Sequence, residues 1–95
     1  YLPKFSKDHR YTLGFKIGSL FVEIIEYLHI AQYARSDQKY LYLEKSSFKL
    51  DTLKFFLQIL WEIDGIDQRK YIRLSENLAE IGRMIGGWLK NRTLR

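Results

Sequence analysis

The stretch LYLEKSSFKLDTLKFFLQILWEI, residues 41–63, decides how this chain folds. Ser46, Leu50, Leu53, Leu57, Leu60 and Trp61 recur at helical spacing and share one stripe of a helix. A second stripe, Leu41, Phe48, Phe55, Ile59 and Ile63, lies about 160° round the same helix. The polar side left over is narrow and holds Glu44, Asp51, Lys54, Gln58 and Glu62. A helix that is apolar on nearly all sides is expected to be covered on nearly all sides. Two neighbouring helices cannot do that, so Phe48, Phe55, Ile59 and Ile63 are candidate contacts with a fourth helix or a neighbouring subunit.

Outward from this segment, the same periodicity predicts two more long helices. The middle helix is expected over about 38–64, preceded by one over 12–35 and followed by one over 68–92. In the first, Leu13, Ile17, Leu20, Phe21, Ile24, Leu28 and Ala31 share a stripe, with Lys16, Ser19, Glu23 and Glu26 opposite. Thr12 is the expected N-cap, and Ser36-Asp37-Gln38 breaks the pattern. Gly65 suits the position just past the second helix, and Asp67 suits the cap of the third. In the third helix Leu74, Leu78, Ile81, Ile85 and Leu89 face inward, and Arg69, Arg73, Glu76, Glu80 and Arg83 face outward. Connections this short force antiparallel neighbours. The fold class is therefore all-α, an up-down bundle within a single domain spanning residues 1–95.

Composition narrows the function. The net charge is +5, and it is uneven: residues 1–16 carry +3, residues 17–65 carry −2 and residues 66–95 carry +4. Such a balance argues for anionic partners. No run of about 18 uncharged apolar residues exists to cross a membrane. With no cysteine in the chain, a reducing cytoplasm is the expected compartment. The chain begins at Tyr1 rather than Met, so upstream sequence is expected. Only His9 and His29 are available as imidazoles, and no His/Asp/Glu spacing matches a metal site, so neither metal, cofactor nor catalysis is expected.

In an up-down-up arrangement the first and third helices start at the same end. Lys7, Arg10 and Lys16 would then gather near Arg69, Lys70 and Arg73 as a candidate phosphate-binding patch, since phosphate contacts need charge and not base-specific geometry. The competing reading is a solvated face partly neutralised by Glu76 and Glu80. Arg35, Lys39, Lys90, Arg92 and Arg95 gather at the other end. Tyr11, Tyr33, Tyr40 and Tyr42, near helix ends, are candidates either for half-buried packing or for stacking on bases. Gly82, Gly86 and Gly87 stand late in a helix, where each costs about 1 kcal/mol against alanine. Close helix packing at Gly82 and Gly86, with Trp88 as an anchor, is the expected compensation.

Three stretches carry a family resemblance. They are Lys4-Phe5-Ser6-Lys7 running into Arg10-Tyr11-Thr12-Leu13-Gly14, then Leu50-Asp51-Thr52-Leu53-Lys54-Phe55-Phe56-Leu57, then Ile81-Gly82-Arg83-Met84-Ile85-Gly86-Gly87-Trp88. In order and spacing the chain resembles the accessory variability determinant (Avd) proteins of diversity-generating retroelements. These belong to a four-helix-bundle family that also includes proteins encoded in intervening sequences of 23S ribosomal RNA genes. The resemblance implies a first helix upstream of Pro3 and a ring of five subunits. It also implies a basic surface that meets RNA or RNA–DNA hybrid and a partner reverse transcriptase. It assigns Lys54 toward the ring's axis, although the next turn holds Gln58 and not a second basic residue. An oligomeric structural adaptor of the intervening-sequence type is the alternative.

Overall fold

A computed structural model describes residues 7–91, and side chains from Asp8 to Lys90. A single 3-10 turn, Lys7–His9, leads into helix α1 (Arg10–Tyr33), which is followed by α2 (Ser36–Glu62) and α3 (Gln68–Asn91). No strand occurs among the described residues. The result is a rod of 47 × 23 × 20 Å.

Helix α1 starts two residues before the expected Thr12, with His9 in the cap position and no side chain capping it. The 3-10 turn already sets the chain into a helical path, so Thr12 lies inside the helix. Helix α2 ends through paired backbone bonds. Asp64 N–H donates to the Trp61 carbonyl at 3.0 Å, and Gly65 N–H donates to that of Leu60 at 2.8 Å. This is the Schellman arrangement, with Asp64 and not Gly65 as the left-handed residue, at φ 61°. Gly65 is needed one step later, because a Cβ there would collide with the Leu60 side chain and lie 3.1 Å from its carbonyl oxygen.

Helix α3 starts as expected: the Asp67 carboxylate accepts the Lys70 backbone N–H at 2.8 Å. Its first turn carries Arg69 and Lys70 and no acid, so the cap offsets an unfavourable meeting of cations with the helix's positive end. Asp67→Ala is therefore expected to cost about 0.5–2 kcal/mol. Urea unfolding would measure this, with the loss concentrated in α3.

Leu20 and Ile24 from α1, Leu50, Leu53 and Leu57 from α2, and Leu78 and Ile85 from α3 form one buried core. A smaller cluster of Leu13, Ile59 and Leu60 closes the end where α1 begins and α2 finishes. Ser46, fully buried, bonds back to the Tyr42 carbonyl at 3.0 Å, leaving its polar group satisfied in an apolar seam. Helix α1 lies along α2 for most of its length, and α3 packs against α2, whereas the backbones of α1 and α3 hardly approach each other.

That open angle accounts for several departures from the expected faces. Phe21 and Leu74, assigned inward, are exposed because no described residue fills the flank between α1 and α3. Glu23, assigned outward, is half-buried and pairs across the α1–α2 seam with Lys49 at 3.7 Å. Ile59, assigned to a subunit contact, is only 2% exposed and already belongs to the chain's own core.

Candidate nucleic-acid interface

Packing of Leu13 against Ile59 and Leu60, with Ile63 and Ile66 alongside, fixes the start of α1 beside the turn that leads into α3. The cations expected to share an end therefore do so. Arg10 and Lys16 on α1, and Arg69, Lys70 and Arg73 on α3, are all exposed. The Lys7 side chain lies outside the described residues, as do those of Arg92 and Arg95. Among the described residues, no carboxylate pairs with Arg10, Lys16, Arg69 or Arg73. Glu80, a candidate to neutralise this patch, is engaged by Arg83 one turn further along.

The turn itself is held by an aromatic stack. Trp61 near the end of α2 and Tyr71 in the first turns of α3 lie nearly parallel, with centroids 4.8 Å apart and planes 8° apart. Arg69 and Arg73 flank Tyr71 in sequence, so this stack orients the turns that carry them. Carboxylates also populate the same end. Glu62, Asp64 and Asp67 line a shallow depression with Trp61, Ile66 and Gln68. The patch is thus a set of cations interleaved with acids, and its field is weaker than the cations alone imply.

Lys54 is exposed but sits elsewhere. A Cβ at Gly82 would lie 3.6 Å from Lys54 Nζ and 3.3 Å from Leu50 Cδ2, which places Lys54 across the middle of α3. Gly82 is therefore a point of close α2–α3 approach, as its spacing suggests. Gly86, by contrast, has open space where a Cβ would be, so it makes no close helix packing among the described residues. Trp88 is 43% exposed and does not anchor the core. Instead it faces α1 across a cavity of about 670 Å³ shared with Ile25, Leu28, Gln32, Tyr40 and Leu43.

On the outer side of α2, Phe48 is 70% exposed, with Leu41 and Phe55 also uncovered and Ile63 half-buried. This face is separate from the α1–α3 flank, so the chain carries two uncovered apolar surfaces rather than one. Among the tyrosines, Tyr42 lies 5.9 Å from Tyr27 across the α1–α2 seam, with Lys45 Nζ 5.2 Å from the Tyr42 ring. Tyr40 lines the cavity, and Tyr33 makes an edge contact with His29 at 5.4 Å. Tyr11 stands in solvent. So does Phe15, four residues on, which sequence reasoning passed over because it lies off the inward stripe; its spacing from Tyr11 was the available signal.

Among the described residues, no group of three or more His, Asp or Glu could hold a metal ion, and no helix is long and apolar enough to cross a membrane. Among known proteins, no curated protein and no solved structure matches the chain. The bAvd-like family model does match, over residues 1–92, and the chain belongs to the bAvd-like family.

Proposed function

We infer that this protein is a non-catalytic accessory subunit of a diversity-generating retroelement, holding template RNA or RNA–DNA hybrid beside the reverse transcriptase that performs mutagenic cDNA synthesis. Membership of the bAvd-like family supports the accessory role. The observation that carries RNA binding is the gathering of Arg10, Lys16, Arg69, Lys70 and Arg73 at one end of the rod, all exposed. Cations held in the first turn of α3, against the helix dipole, cost stability, and an anionic partner would offset that cost.

The two uncovered apolar surfaces support a larger assembly. A fourth helix, upstream of Pro3, covers the flank of α1 and α3, where Phe21, Val22, Ile25, Leu74, Met84 and Trp88 are exposed. Gly14 and Gly18, with open space at their Cβ positions, would let its backbone come close. Leu41, Phe48, Phe55 and Ile63 meet a neighbouring copy in a ring of five.

RNA titrations over a range of salt test the reading. Binding through phosphates weakens linearly in log–log form, with a slope of about −0.7 to −0.9 per contact. The double exchange Arg69→Glu/Arg73→Glu is expected to lower affinity at least about tenfold and to flatten that slope by about 2. RNA retention unchanged by the double exchange rules out the patch. The alternative, an oligomeric adaptor of the intervening-sequence type that docks on protein, is favoured by the carboxylates Glu62, Asp64 and Asp67 at the same end. It requires RNA binding to be absent at all salt concentrations.

A further inference from the structure

The outer row of α2 carries two uncovered rings seven residues apart, Phe48 and Phe55, which stand about 10 Å from each other along the helix. Asp51, between them in sequence, is exposed as well. Another surface of the same chain has the converse shape. Ser75, Ala79, Gly82 and Gly86 recur at steps of four and three, so one edge of α3 holds no large side chain. Gly82 meets Leu50 and Lys54 of α2, while Gly86 has open space at its Cβ position. This edge therefore borders a groove between α2 and α3, with Lys54 on the facing wall. Helical spacing puts it on the other side of α3 from Met84 and Trp88, which belong to the flank of the fourth helix.

Register supplies a match between the two surfaces. Leu50 lies against Gly82 and Trp61 stacks on Tyr71, so α2 and α3 run antiparallel in even step. Phe48 is then about level with Met84, between Gly82 and Gly86, and Phe55 with Asn77, between Ser75 and Ala79. A second copy set alongside, parallel to the first and unshifted along the rod, brings each ring opposite a gap. A closed ring of copies demands that lack of shift, since displacement along its axis gives an open filament. Charge agrees with shape. Asp51 beside the rings and Lys54 beside the gaps are both exposed, and among the described residues neither has an ionic partner.

We propose that Phe48 and Phe55 of one copy insert into the α2–α3 groove of the next, Phe48 between Gly82 and Gly86 and Phe55 between Ser75 and Ala79. The contact joins two different surfaces, so it runs head to tail round a ring instead of pairing one face with itself. Gly86 then has a use that the single chain does not give it: it leaves room for the neighbour's ring. This deepens the assembly reading and rests on it, naming the surface that receives the rings.

The test mixes two variants of the full-length protein and reads mass by light scattering. Gly86→Glu fills a gap on the receiving side, and Phe48→Glu with Phe55→Glu removes the inserting rings. These positions lie outside the buried core, so helicity by circular dichroism should persist in both. Each variant alone is expected to be a monomer. An equimolar mixture should form a one-to-one dimer, because one intact row of rings then meets one intact groove. The mixture is measured at high protein concentration, since a dimer lacks the closure that holds a ring. Gly87→Glu, one residue round the helix and also in open space, should assemble like the parent. A Gly86→Glu protein that assembles fully, or a mixture that stays monomeric, overturns the groove while leaving an assembly of copies standing. A parent protein that is itself monomeric removes both the groove and the reading beneath it.

Discussion

Leu53→Ala is expected to lower stability by about 2–5 kcal/mol. Leu53 is buried on the middle helix in a cluster to which all three helices contribute, so truncation leaves a cavity that no single helix can close by shifting. For a domain whose whole stability is of the order of 5–15 kcal/mol, the loss should bring the melting temperature down by roughly 10–30 °C. Thermal unfolding followed by circular dichroism reads it directly. Leu74→Ala supplies the contrast: Leu74 is exposed, and its truncation should change stability by no more than about 0.5 kcal/mol. Equal effects at the two positions would mean that the shared core is not where the folding energy resides.

The second large effect concerns assembly. Phe48→Glu combined with Phe55→Glu should reduce the particle to a monomer while helicity and melting cooperativity persist. Phe48 and Phe55 occupy the outer side of α2, away from the core, and are uncovered in the single chain. Large rings at the centre of an interface are commonly worth about 2–4 kcal/mol each, so removing two weakens association by several powers of ten. Replacing them with carboxylates beside Glu44 and Asp51 adds like-charge repulsion. Light scattering of the protein before and after exchange measures the change. An unaltered mass would detach this face from any role in assembly.

Much of the architecture was readable because helical periodicity is strong in all three segments. Their number, order and antiparallel course follow from it, and their ends fall within two residues of expectation. The ends that shifted did so for local reasons. At His9 a 3-10 turn starts α1 without a capping side chain, and at Asp64 an aspartate takes the left-handed position that glycine usually holds. Periodicity also says which residues form a stripe without saying whether a partner lies opposite, which is why Phe21 and Leu74 were assigned inward. The cationic end was legible from topology alone. The position of Lys54 was not, since it depends on the close approach at Gly82, nor was the burial of Ile59, which depends on Leu13 arriving from another helix. The inward stripe leaves Phe15 out, because its side chain points away from the core.

Among the described residues the backbones of the outer helices hardly approach each other, so the central helix is the spine on which both are seated. Leu78 and Ile85 nevertheless reach the core beside Leu20 and Ile24, so displacing α3 would open that shared core as well as its seam with α2. A rod clamped between α1 and α3 would brace both outer helices at once and fix how far apart the two cationic helix starts can move.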